Sequence, residues 1–156
     1  MTDLAAKLPQ ILPRAIAWAE AQSRNICLLR GDPVDAKVRA LARAVGVKQP
    51  YRIRVWIVPV IPGPDDAELR QLALEYNLIG PGTHGLTLGY GIFILQGFFG
   101  PQVLSHEFRH VHQVETAGSI AEFLPLYLEQ VAAFGYYDAP YEIDARGHEL
   151  LEWPDR

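Results

Sequence analysis

The stretch Gly100-Pro101-Gln102-Val103-Leu104-Ser105-His106-Glu107-Phe108-Arg109-His110-Val111-His112-Gln113-Val114 carries an apolar stripe and a histidine face on the same helix. Its Gly-Pro start suits a first helical turn, where a missing N–H costs nothing. With His106 set to zero, Val103, Leu104, Phe108, Val111 and Val114 fall between about 60° and 200° around the axis. That is a face to be buried. His106, His110 and Gln113 gather elsewhere, within about 60° of one another. A histidine satisfied inside a core would sit in the apolar stripe, and these two do not.

His106 and His110 are i and i+4, about 40° apart and one turn apart along the axis, so both imidazoles can reach one metal ion. Glu107 is turned about 100° from His106, close enough to contact a metal-bound water without being a ligand. Zinc lowers the pKa of its water to about 7 and polarises a carbonyl, while a carboxylate takes and then delivers the proton. This is the logic of the H-E-x-x-H pattern, which chance alone would produce in about one chain of this length in a hundred. The spacing therefore predicts one catalytic Zn2+, with Glu107 as general base.

A catalytic zinc takes three protein ligands and keeps a fourth position open. Position 116 is Thr116, so no third histidine follows six residues after His110. Glu115 points about 180° from His106. His84 lies upstream, in a segment expected to form substrate-side strands. The best downstream candidate is Glu142, in Pro140-Tyr141-Glu142-Ile143-Asp144-Ala145-Arg146 at the start of a later helix. An intervening helix over about 119–134 can reverse the chain and return it. Asp144, His148 and Glu149 are less favoured ligands, and Asp138 lies in a loop. Gln113 and Asp144 are candidates for hydrogen-bonding the metal-bound imidazoles. Tyr136, Tyr137, Tyr141 and His148 are candidate donors to the oxyanion of a tetrahedral intermediate. For each of these, packing is the plainer role.

Outward from this helix, the pattern gives amphipathic helices first, then short strands. Ile11, Ala15, Ile16 and Ala19 recur at helical spacing, predicting a helix from near Pro9 or Pro13 to about Ser23. Val34, Val38, Leu41, Ala42 and Val45 predict a second, starting after Asp32 and stopping at Gly46. Tyr51 to Ile61 alternates and is rich in β-branched residues, which predicts a strand whose end Pro59 pushes toward a sheet edge. Asp66 is a good N-cap for a short helix through Leu69, Leu72, Ala73 and Tyr76. Leu86-Thr87-Leu88 and Ile92-Phe93-Ile94-Leu95 predict strands around a Gly89-Tyr90-Gly91 hairpin or bulge. A last helix is expected from Pro140 to before Pro154. Helices, then strands, then helices argue an α+β fold with an antiparallel or mixed sheet. The expectation is one domain over 1–156, with N-terminal helices and a strand to about 80 and the zinc-site half over about 85–152.

His106-Glu107-x-x-His110 followed by Glu142 on a later helix resembles a gluzincin, the zinc-peptidase class whose third ligand is a glutamate. Leu86-Thr87-Leu88-Gly89, His106 to Gln113 and Tyr141 to Ala145 are similar to small bacterial zinc-peptidase-like domains. The resemblance covers about 85–149. It implies a zincin-like fold in which a small sheet packs on the active-site helix, with further helices C-terminal. It also implies an antiparallel edge strand, expected at Gly91 to Leu95, along which an extended peptide or protein substrate pairs by strand addition. Many gluzincins carry an Asp four residues after the glutamate ligand. Here that residue is Arg146, so the support of a metal-bound histidine must be built differently, by Asp144 or Gln113.

Composition narrows the alternatives. The 156 residues carry a net charge of −4, with 49% hydrophobic and 21% charged residues, as in ordinary soluble domains. No Lys/Arg run supports nucleic-acid binding. Gly80-Pro81-Gly82-Thr83-His84-Gly85 lacks the lysine and spacing of a phosphate loop. No window reaches the roughly 18 apolar residues of a membrane span, and no signal peptide is seen, so a cytoplasmic protein is expected. A structural zinc site would be closed by four ligands, usually thiolates, and Cys27 is the only thiol. The main alternative to a zinc metallopeptidase is a metallopeptidase-like binding or regulatory module without activity. Arg146 and the small size favour that alternative, whereas Glu107 argues against it, since a purely structural metal needs no general base.

Overall fold

The computed structural model describes residues 3–155; residues 1, 2 and 156 of the expected 1–156 domain lie outside the described residues. Among the described residues, six α-helices and four short strands make an α+β architecture with a mixed sheet. The first helix, α1 (Leu4–Asn25), is capped by Asp3, whose carboxylate accepts from the Ala6 N–H at 3.4 Å. It starts earlier than expected and runs through both Pro9 and Pro13. A helix-interior proline costs about 3 kcal/mol. Buried Leu4, Leu8 and Ile11, packed in one cluster with Leu69, Leu72, Leu128 and Val131, hold the chain helical across both. A π-helical turn, Ile26–Arg30, leads into the two-residue strand β1 (Asp32–Pro33). The second helix, α2 (Ala36–Ala44), is capped by Asp35 rather than Asp32, because Pro33 is taken up in pairing with Arg54.

Strand β2 (Arg54–Val58) is shorter than the alternating run that predicts it, since Pro50–Arg52 form a 3-10 turn. Helix α3 (Ala67–Glu75), capped by Asp66, crosses over to the hairpin of β3 (Gly85–Leu88) and β4 (Gly91–Leu95). At the hairpin turn Gly89 has a φ of 68°, a conformation that glycine adopts without strain. The order is β1-β2-β4-β3, with β2 parallel to β4 and the other pairs antiparallel.

One expectation about edges is corrected here. β4 is an interior strand, and β3 is the edge. The crossover through α3 lays β2 along the outer side of β4, and Ile92-Phe93-Ile94 is buried on both faces, as an interior strand requires. β2 lies inside the sheet order, but β1 pairs only with Arg54 and Val55, so the end of β2 before Pro59 lies at an edge, as the proline predicts.

Alternation along β4 then sorts the helices. Ile92 and Ile94 face α2 and the helix α4 (Pro101–Ala117), meeting Leu41, Leu104, Phe108 and Val111. Phe93 faces α1, with Ala19, Ile26 and Leu88. Helix α5 (Ile120–Phe134), capped by Ser119, packs along α1, and α6 (Pro140–Gly147) returns to α4. Among the described residues, no helix is long and apolar enough to cross a membrane.

Candidate metal centre

Helix α4 buries the stripe read from its sequence: Leu104, Phe108 and Val111 are almost wholly inaccessible, and Val114 is buried beside them. That fixes the rotation of the helix and turns His106, Glu107 and His110 toward β3, α5 and α6. Glu142, in the first turn of α6, closes the group from the other side and is itself buried. Ligand atoms of His106, His110 and Glu142 all lie within 4.8 Å of one another. His106 Nε2 is 3.1 Å from Glu142 Oε1, and His110 Nε2 is 3.2 Å from Glu142 Oε2.

The other ring nitrogens are also engaged. His106 Nδ1 lies 2.9 Å from Glu149 Oε2, and His110 Nδ1 lies 2.7 Å from Gln113 Oε1. Glu149 is held in turn by Gln102 Nε2 at 3.0 Å, while the next backbone N–H, of Leu150, donates to Ser105 Oγ. Gln113 Nε2 donates to the Tyr141 carbonyl and to Asp144 Oδ2, each at 2.9 Å. Asp144 takes Arg109 Nε at 2.8 Å, and Arg109 also donates to the Val45 carbonyl, tying α4 to α2 and α6.

The charge of Glu142 dominates the site. Burial opposes its ionisation, yet hydrogen bonds from His106, His110 and Tyr127 hold its carboxyl far below the usual carboxylate range. Tyr127 donates to Glu142 Oε2 at 2.6 Å, and burial beside that charge pushes its hydroxyl well above its ordinary value. Two imidazole nitrogens and one carboxylate suit zinc, with a position left for water. Each imidazole has a partner on its far nitrogen, as metal-ligating histidines almost always do. The donor set fits the ion.

Glu107 stands beside this group and is buried. Thr87 Oγ1 on the edge strand donates to Glu107 Oε1 at 2.8 Å and lies 3.1 Å from its carbonyl oxygen. Gly85 faces the same side chain so closely that a Cβ there would stand 2.8 Å from Glu107 Cγ and 2.9 Å from Cδ. Glycine at 85 thus leaves the carboxylate its place.

Other residues singled out in the sequence fall elsewhere. Glu115 points away: it accepts from the Lys48 and Gln49 N–H groups and from the Tyr90 hydroxyl at 2.7 Å. His148 Nδ1 donates to the Asp144 carbonyl at 2.8 Å. The Tyr141 ring stacks on Phe123. His84 stacks on Phe98, with ring centroids 3.8 Å apart. Arg146 covers the Tyr137 ring. Of the tyrosines considered as oxyanion donors, Tyr136 lines the groove in front of His106 and Glu107, and Tyr137 and Tyr141 do not. Tyr127 and the hydrogen-bonding role of Glu149 went unread in the sequence. Tyr127 offers no signal there, since an aromatic on an apolar helix reads as packing. Glu149 follows α6 in an irregular segment whose direction no periodicity gives.

No protein-family model, curated protein or solved structure matches this chain.

Proposed function

We propose that the chain is a zinc-dependent metallopeptidase of gluzincin type with a zincin-like fold, hydrolysing peptide bonds in a peptide or protein substrate. One observation carries this reading: a buried general-base candidate, Glu107, adjoins two imidazoles and a carboxylate that converge on one point. His106, His110 and Glu142 would hold the ion. When bound there, zinc supplies Lewis acidity that lowers the pKa of water and polarises a carbonyl.

The chain's own residues supply the rest. The edge strand β3 borders a groove of about 610 Å³ whose walls include Gly85, His106, Glu107 and Tyr136, so an extended substrate can lie beside Glu107. The Glu107 carboxylate takes a proton from the attacking water as the new C–O bond forms. It returns that proton to the amide nitrogen as the C–N bond breaks. Thr87 holds one oxygen of that carboxylate and so restrains its rotation. Tyr136 is the hydroxyl placed to donate to the oxyanion. Burial, and then the charge of Glu142, raises its pKa well above 10, so it keeps its proton at neutral pH.

The test is cleavage of unfolded casein by zinc-loaded protein beside the Glu107→Gln variant. Wild type should cleave, and the variant, still binding zinc, should be slower by about 10²–10⁴-fold. Equal silence from both removes the enzymatic reading.

A further inference from the structure

Charge is spread unevenly along the chain. Residues 24–54 hold eight of its 14 Lys and Arg and two of its 18 Asp and Glu, a net of +6. The remaining residues carry −10, against −4 for the whole. Outside this segment, Lys7, Arg14 and Arg109 are each paired with a carboxylate. Among the described residues, none of the eight cations within it is. Charge so segregated and left unneutralised marks a surface that meets an anionic partner.

The same segment leaves apolar side chains outside the core. Helix α1 ends in the π-helical turn, closed by the Gly31 N–H on the Ile26 carbonyl at 2.7 Å. That turn seals Ile26 into the core and leaves Leu28 and Leu29 outside it. At 76% and 79% exposure they are the two most exposed large apolar side chains among the described residues. A lone exposed leucine is ordinary, whereas an adjacent pair ringed by cations is not. Arg24, Leu28, Lys48 and Arg52 line one open cleft of about 590 Å³. Arg54 abuts Gly31, and Arg30 lies over the Trp56 ring on the same strand. Exposed Tyr51 adjoins them, its carbonyl accepting from Arg54 Nη1 at 3.0 Å.

We infer that this face docks the protein on a membrane surface carrying anionic phospholipid. Leu28 and Leu29 enter the boundary between headgroups and acyl chains. Arg24, Arg30, Lys48, Arg52 and Arg54 meet the lipid phosphates around them. Such binding grows with the apolar area inserted and with each cation brought near the charged surface. Leucines would gain nothing on single-stranded nucleic acid, where the bases stack on aromatic side chains. A second copy bringing the same face would set +6 against +6. The cleft touches α4 at Val111, Val114 and Glu115, whereas the groove touches it at Gln102, Val103 and His106. His106 and Glu115 stand about 14 Å apart along the axis and on opposite sides of it. The docked protein thus keeps its groove open to water. Docking needs no metal and is independent of the peptidase activity.

Flotation of the full chain with vesicles tests this, in zinc-loaded and in chelator-treated protein. Vesicles of phosphatidylcholine and phosphatidylglycerol in equal parts should carry the protein, and phosphatidylcholine alone should not. Rising salt should release it, as screening requires. Arg24→Gln/Lys48→Gln should lower vesicle affinity at least about tenfold, at roughly fivefold for each cation near the surface. Leu28→Ser/Leu29→Ser should lower it at least about tenfold with the charge unchanged. All four side chains are exposed, so each variant should melt at the wild-type temperature. In Leu28→Trp the added fluorescence should shift to the blue on anionic vesicles and be quenched by brominated acyl chains. Failure to float with anionic vesicles, or equal flotation with neutral ones, overturns the proposal. So does a leucine variant that binds as wild type, or a Leu28→Trp signal that stays unquenched. Tighter binding to a DNA duplex than to anionic vesicles would assign the face to nucleic acid instead. Dimers in sedimentation that the leucine variant abolishes would assign it to a second copy.

Discussion

Gln113 Oε1 lies 2.7 Å from His110 Nδ1, and the amide can stand only this way round. Its nitrogen faces two acceptors, the Tyr141 carbonyl and Asp144 Oδ2, and uses both of its hydrogens on them. The oxygen must therefore receive a proton from His110 Nδ1. In the neutral imidazole that choice leaves the Nε2 lone pair aimed at the point shared with His106 and Glu142. Asp144, pinned by Arg109, fixes the amide, and the amide fixes the tautomer of the His110 ring.

Removing this support should weaken metal binding without unfolding the chain. Gln113→Ala is expected to lower zinc affinity about 10–100-fold, in the range seen when such partners of a ligand are lost. Gln113→Glu, which still accepts from Nδ1 but sets a carboxylate oxygen against the Tyr141 carbonyl and Asp144 Oδ2, should recover only part of it. Competition against a chromophoric chelator reads both values. An unchanged affinity in Gln113→Ala would sink the relay.

Gly85 offers a way to move Glu107 without touching His106, His110 or Glu142. A methyl group in Gly85→Ala would press on Glu107 Cγ and Cδ. A displacement of that order can cost about 10²-fold in rate. Zinc content should stay at the wild-type level while casein cleavage falls. Wild-type turnover in Gly85→Ala would show that Glu107 needs no such clearance.

Tyr127→Phe keeps the ring that packs against His110 and Phe123 and deletes the hydroxyl on Glu142 Oε2. Zinc affinity should drop about tenfold, as for other partners of ligating groups. Calorimetric zinc titration measures it, and equality with wild type would assign Tyr127 to packing alone.

Protonation provides a further check on protein stripped of metal with a chelator. Burial disfavours a charge on His106, but the hydrogen bond to Glu142 and the Glu107 and Glu142 charges outweigh it, raising its pKa from 6.5 to about 9. His110 shifts in the same direction. A raised histidine stabilises fully below its unfolded value and loses that contribution as pH rises through the folded value. The melting temperature of stripped protein should therefore fall from pH 6.5 to above 9, more steeply than that of Glu142→Gln. Zinc competes with the same protons, so the stabilisation it gives should grow with pH. A stripped protein whose melting point is level across this window would contradict the coupling.

Much of the centre was legible because a helix fixes angles. The buried stripe of Leu104, Phe108 and Val111 set the rotation of α4, and rotation placed Gln113 with the two histidines and Glu115 opposite them. Glu142 was readable as an acidic residue opening a later helix that α5 could fold back. Strand order was less readable. The local pattern marks β4 as apolar and β3 as alternating, but only the crossover through α3 decides which of them lies inside. The start of α1 was misplaced because Pro9 and Pro13 read locally as boundaries, whereas packing of Leu4, Leu8 and Ile11 overrides them. Tyr127 was hidden for the same reason, since its direction depends on how α5 lies against α4 and α6.

The most direct measurement of the central claim is zinc K-edge X-ray absorption on the purified protein, beside Glu142→Ala. The account predicts one zinc per chain with two imidazoles at about 2.0–2.1 Å, further oxygen ligands and no sulfur. It also predicts that the spectrum of the variant loses the carboxylate contribution and that its zinc content falls. A protein that takes up no stoichiometric zinc, or a spectrum identical with and without Glu142, would contradict it.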